Sequence, residues 1–103
     1  MTINDKQFLE LTQADAPVLV EFMAPWCVYC RKISKPMEQL EEAYAGRMPI
    51  VLLNIDDYEA LSDKEGIELV PTLRIYKAGK VLGQIVAPDS KAAIEQFIQQ
   101  NIS

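Results

Sequence analysis

Cys27 and Cys30 are the only two cysteines in a chain of 103 residues, and they stand three apart in the stretch APWCVYCRK. Two thiols at that spacing could close a structural disulfide, hold part of a metal site, or cycle between dithiol and disulfide. A disulfide across so short a loop restricts the unfolded chain little, and small secreted domains use several spaced ones. A structural zinc or an iron–sulfur cluster normally takes four ligands. The chain has two cysteines and no histidine, so a metal would have to be shared between two chains. Plain burial is the remaining alternative, since free cysteine is among the most buried residue types.

A thiolate, not a thiol, is the nucleophile, and an unperturbed cysteine with a pKa of about 8.5 is mostly protonated at neutral pH. At the first turn of a helix, unpaired backbone N–H groups and the positive end of the dipole favour the anion, and Cys27 is placed to use them. Arg31, Lys32 and Lys35 follow with no acidic residue before Glu38, and their field favours the anion as well. Without a histidine, the His–Cys activation of proteases is excluded. Cys30 lies one helical turn on, facing the same way, where it can attack a mixed disulfide formed at Cys27.

The elements that must position this pair are legible from periodicity. Asn4 and Gln7 form a capping-box pattern ahead of a short helix over residues 5–14, with Phe8 and Leu11 inward. PVLVEFMA, residues 17–24, is a near-continuous apolar run broken only by Glu21, as expected of a strand buried on both faces. Ile33, Met37, Leu40 and Tyr44 form one stripe on a long helix from Cys27 to Tyr44, which Pro36 should kink. PIVLLNID, residues 49–56, is a second buried strand. A short helix over 58–64 follows, with Leu61 inward and Gly66 ending it. Strand, helix, strand implies a parallel right-handed crossover. TLRIYKAGKVLGQIVA reads as a hairpin turning at KAGK, with Leu73 and Ile75 alternating with polar neighbours. Asp89 or Ser90 caps a last helix carrying Ile94, Phe97, Ile98 and Ile102 on its core face.

The predicted order αβαβαββα is that of an α/β domain with a four-stranded mixed sheet and helices on both faces. The cysteines fall where the first strong strand passes into the long helix, the end of a parallel sheet at which ligands and reactive groups collect. Composition agrees: 50% hydrophobic and 24% charged residues suit one globular domain spanning residues 1–103. A net charge of −5 repels nucleic acid and anionic lipid surfaces. No apolar run approaches the roughly 20 residues that span a bilayer, and MTINDKQFLE lacks the basic and apolar regions of a signal peptide. A cytoplasmic monomer is expected.

VLVEFMAPWCVYC resembles the active-site strand and helix start of thioredoxins, and LVPTL resembles their Pro-Thr loop. The resemblance runs from Phe8 to Ile98. It implies a thioredoxin fold and a thiol–disulfide oxidoreductase acting on protein substrates, mostly as a reductant, without a resident cofactor. It also implies an NADPH-dependent thioredoxin reductase as electron donor. Carried over by residue, Cys27 is the exposed nucleophile, Cys30 the buried resolving thiol, and Trp26 shields the sulfurs. Pro71 is the family's cis-proline, Val70 binds an extended substrate through its backbone, and Val28, Tyr29 and Thr72 complete the substrate surface. Glu21 matches the buried acid that exchanges a proton with Cys30. A strand-end glutamate reaching solvent is the alternative for that residue.

The departures are specific. Val28-Tyr29 replaces the Gly-Pro of ordinary thioredoxins and the Gly-His of disulfide isomerases, a dipeptide that helps set redox potential in the family. Leu52 stands where thioredoxins place a lysine near the buried acid, which should raise the Glu21 pKa. The helix proline comes one position later, at Pro36. The glycine lining the docking groove after the hairpin corresponds to Val86, and the first edge strand is reduced to MTI at most. Two rival readings stand beside the oxidoreductase: a redox-inert module binding a protein partner through Trp26, Tyr29 and Val70, and a glutaredoxin-like, glutathione-dependent activity.

Overall fold

The computed structural model describes residues 1–102. Its elements, in chain order, are α1 (Asp5–Gln13), β1 (Val18–Met23), α2 (Val28–Lys32), α3 (Ser34–Ala43), β2 (Ile50–Asn54), α4 (Glu59–Lys64), β3 (Thr72–Lys77), β4 (Lys80–Val86) and α5 (Lys91–Ile102). The strands form one sheet in the order β2-β1-β3-β4. β1 pairs in parallel with β2, and β3 pairs antiparallel with both β1 and β4. A fifth strand is reduced to a single bridge, Thr2 to Leu52, supported by Ile3 N–H on the Leu52 carbonyl at 2.8 Å.

Alternation along the central strands assigns the two faces. Leu19, Leu73 and Ile75 point into a cluster with Ile33, Met37, Leu40 and Tyr44 of the α3 side and Ile94, Phe97 and Ile98 of α5. Val18, Val20, Phe22 and Tyr76 point the other way, against Phe8 of α1 and the α4 side. Both faces are thus covered, which is why β1 reads as an apolar run and not as an alternating strand. No helix among the described residues is long and apolar enough to cross a membrane.

The α4 face also buries polar groups. The Tyr76 hydroxyl donates to Glu65 Oε1 at 2.6 Å, and Arg74 Nη1 donates to that hydroxyl at 3.2 Å while lying 3.6 Å from the same carboxylate. Arg74 Nε donates to Gln84 Oε1 at 2.6 Å. Leu73 and Ile75 alternate with Thr72, Arg74 and Tyr76 as expected, and Tyr76 is only 3% exposed, because α1 and α4 cover that face of the sheet.

The helix caps are largely as expected. Asn4 Oδ1 accepts the Gln7 N–H at 2.8 Å and Gln7 Oε1 returns the bond to the Asn4 N–H at 2.9 Å. Ser90, not Asp89, caps α5, its Oγ accepting the Ala93 N–H at 3.1 Å. The hairpin turns through Ala78 at φ 52° and Gly79 at φ 78°. The Ala78 and Gly79 N–H groups bond the carbonyls of Ala14 and Thr12, both at 2.8 Å, which ties the turn to the end of α1. Gly83 leaves room for Asn101 of α5, whose side chain would collide with any β-carbon placed there.

The long helix expected from Cys27 to Tyr44 is two helices. Ile33, at φ −98° and ψ 3°, separates α2 from α3. Pro36 has no N–H to give to the carbonyl four residues earlier, and its ring crowds that carbonyl, so the helical ladder fails one turn before the proline. The apolar stripe survives the break, since Ile33, Met37, Leu40 and Tyr44 are all buried.

Candidate functional site: a dithiol at the head of α2

β1 delivers the chain to the site, and the tight Ala24–Cys27 turn reverses it, with the Cys27 N–H on the Ala24 carbonyl at 3.1 Å. Cys27 is the N-cap of α2, and its Sγ accepts the backbone N–H of Cys30 at 3.1 Å. This is a capping bond in which sulfur takes the place usually held by a side-chain oxygen. The two cysteines are free thiols. On the other side, the Cys27 thiol donates to the Val70 carbonyl at 3.5 Å. The Val70–Pro71 bond that follows is cis.

The structure brings Cys27, Cys30, Val70 and Pro71 together, with differences from expectation. Cys27, predicted to be exposed, is 5% exposed and Cys30 is 4%. The Val70 loop closes over Cys27 from 43 positions away in the chain, and a contact at that separation leaves no local pattern. Met23, Ile55 and Val70 pack against the buried cluster of Ala24, Cys27 and Cys30. Trp26, expected to shield them, stands 62% exposed and donates its indole N–H to Asp56 Oδ2 at 3.0 Å. Thr72 is buried and gives its hydroxyl to the Leu69 carbonyl, so it shapes the loop and presents no hydroxyl outward.

The groove end of the hairpin also needs correction. Val86 still belongs to β4, paired with Thr72. The left-handed backbone that suits a glycine falls one residue later, at Ala87, with φ 47°. Its N–H bonds the Pro71 carbonyl at 2.8 Å and so joins the hairpin to the proline loop.

Glu21 occupies the floor. On β1 it shares a face with Leu19 and sits between Leu52 and Leu73 on the neighbouring strands. It is 1% exposed, and its Oε1 has no hydrogen-bond partner. Burial pushes its pKa from 4.5 up to about 7, because an apolar surround disfavours the charged carboxylate. Of the two readings of Glu21, solvent contact is excluded. Burial first, and then the hydrogen bond with Cys27, pushes the Cys30 thiol up to about 12; the Ala24 backbone opposes this, and the charges on Cys27 and Glu21 add to it. Cys30 is therefore a protonated thiol at neutral pH, near an acid that titrates there.

Exposed apolar surface surrounds this centre. Trp26, Val28 and Tyr29 flank Cys27, while Leu69 and Val86 flank the Val70–Thr72 segment. Sequence reasoning missed Met23 and Ile55 beside the cysteine cluster, Leu69 on the rim, and Asp56 as the partner of Trp26. Ile55 and Asp56 reach the site from the β2–α4 connection, distant in the chain from the cysteines.

Two thiols in mutual contact, one capped at a helix start and the other kept protonated, can pass two electrons to a disulfide and close into one themselves. That chemistry, on this sheet, is the class of the dithiol–disulfide oxidoreductases. A family model described as Thioredoxin matches residues 1–100. Thioredoxin of Haemophilus influenzae is 36% identical, over 97% of this chain and 94% of the relative. Thioredoxin of Streptomyces clavuligerus is 40% identical, over 89% and 86%. In structure, thioredoxin Mala s 13 of Malassezia sympodialis superposes with a TM-score of 0.89 at 24% identity, covering 99% of this chain and 90% of that one, a likeness of fold. The chain belongs to the thioredoxin family, and it is a thiol–disulfide oxidoreductase with the thioredoxin fold.

Proposed function

We propose that the chain, as a single-domain monomer, works chiefly as a reductant of protein disulfides, with Cys27 as nucleophile and Cys30 as resolving thiol. The Cys27 thiolate attacks one sulfur of the substrate disulfide; that bond breaks, one substrate thiolate leaves, and a mixed disulfide remains on Cys27. Cys30 then gives up its proton and attacks the Cys27 sulfur, which releases the second substrate thiolate and closes the Cys27–Cys30 disulfide. Two electrons have moved from the dithiol to the substrate.

Glu21 is the proton acceptor for Cys30. With a pKa near 7, it can take a proton and return it at the pH where the protein works. Trp26, Val28 and Tyr29 form the apolar floor for the substrate, and the Val70 backbone pairs with an extended segment, as in strand addition. Pro71 and Thr72 hold that loop in place. A thioredoxin reductase using NADPH returns the electrons, and the cytoplasm, a reducing compartment, is the setting this reading assigns.

The observation that carries the reading is the 3.1 Å bond from the Cys30 N–H to the Cys27 sulfur beneath the Val70 carbonyl. It puts an N–H donor on the sulfur that must bear negative charge. Insulin reduction driven by dithiothreitol tests it. The wild type should shorten the turbidity lag and Cys27→Ser should not, while Cys30→Ser should accumulate a mixed disulfide visible by mass spectrometry. Undiminished activity in Cys27→Ser would refute the assignment.

A further inference from the structure

Arg31, Lys32 and Lys35 are three of ten basic residues in a chain of net charge −5, and all three are exposed on α2 and the first turn of α3. Among the described residues none of them pairs with a carboxylate. The ion pairs among the described residues are Met1 with Glu41 and Arg74 with Glu65. Like charges so close repel, and no carboxylate among the described residues offsets them.

Two of the charges are held at the rim of the apolar surface around Cys27. Arg31 donates Nε and Nη2 to the Pro25 carbonyl at 3.3 and 3.2 Å, which parks its guanidinium against the loop carrying Trp26 and Cys27. Lys32 Nζ lies 5.2 Å from the ring centre of Tyr29. The β2–α4 connection, whose Ile55 packs on the cluster of Ala24, Cys27 and Cys30, carries the opposite sign: Asp56, held by Trp26, then Asp57, with Glu59 opening α4. The surface at Cys27 is therefore edged by cations on α2 and by acids on the β2–α4 connection.

We propose that this polarity selects the substrate: the preferred partner is a protein segment whose attacked cysteine has an acidic residue beside it, laid against Arg31 and Lys32. The inference rests on the oxidoreductase reading above and names the substrate class of that same site. Exposed charges of this kind act mainly on the rate of productive encounter, and salt screens them, with a Debye length of about 10 Å at 0.1 M and about 3 Å at 1 M.

The test uses three short peptides with one disulfide each, identical except for Glu, Gln or Lys next to a cysteine. Each rate of reduction by the reduced protein is divided by that peptide's rate with dithiothreitol, which removes intrinsic differences in disulfide reactivity. At low ionic strength the normalised rates should fall in the order Glu, Gln, Lys, by about twofold to fivefold per step. The spread should collapse in 1 M salt and reverse in Lys32→Glu/Lys35→Glu. Equal normalised rates, the opposite order in the wild type, or a spread indifferent to salt would overturn the proposal, and the salt comparison needs no variant. Turnover of none of the peptides would refute the oxidoreductase reading itself, and this inference with it.

Discussion

Glu21 on β1 and Arg74 on β3 lie on adjacent strands, one register step apart, on opposite faces of the sheet. Arg74 is held in a closed set of bonds with Tyr76, Glu65 and Gln84. Glu21 is more deeply buried, is bordered on its neighbouring strands by Leu52 and Leu73, and leaves a carboxylate oxygen unbonded. A buried polar group with all its partners can support a fold; one without them costs stability unless it stays neutral. The Arg74 group pins the C-cap of α4 to the sheet and so steadies the loop that leads to Val70. Glu21 is an expense of the fold, and the proton exchange proposed for it with Cys30 is what would set that cost to use.

The contrast can be broken most sharply at Glu21. Its folded pKa of about 7 lies above the unbound value of 4.5. The native state therefore holds the proton more tightly, and the stability linked to this group is complete below about pH 4.5 and is lost as pH rises through 7. Urea unfolding should find Glu21→Gln more stable than the wild type by about 3 kcal/mol at pH 8 and by almost nothing at pH 4. A difference independent of pH would refute the assignment. The same variant should slow disulfide reduction.

On the other face the sign inverts. Glu65→Ala should cost about 2 kcal/mol, because Arg74 and the Tyr76 hydroxyl lose their common acceptor. Leu52→Lys sets a cation beside Glu21 in register and should lower its pKa by about one unit, followed by infrared titration of the carboxyl. Smallest is Tyr76→Phe, which keeps the ring against Phe8 and removes one hydroxyl, for about 1 kcal/mol in chemical denaturation. If Glu65→Ala were neutral, the comparison would fail, since the satisfied cluster would then be idle.

Much of this architecture could be read from local pattern. β1 and β2 stand out because both their faces are covered, and the stripe Ile33, Met37, Leu40, Tyr44 survives a broken helix because each residue still meets the sheet. The CxxC pair was visible from its spacing and from its place after β1. Glu21 stood out as a lone charge in an apolar run, and the resemblance matched it to a buried acid with Leu52 in place of a lysine; its unbonded oxygen depends on Leu52 and Leu73, which other strands supply. The bonds of Arg74 and Tyr76 with Glu65 left no trace in local pattern, since α4 brings that carboxylate from elsewhere in the chain. The burial of Cys27 was illegible because Val70 brings it about from a distant loop.

The interruption at Ile33 has a consequence for how such a protein can change over time. α3 anchors in the interior through Met37 and Leu40, while the short α2 buries Cys30 alone and leaves Val28 and Tyr29 59% and 60% exposed. The dipeptide between the sulfurs can be exchanged without repacking the core beneath it, so the surface beside the sulfurs can drift or be engineered while the scaffold stays as it is.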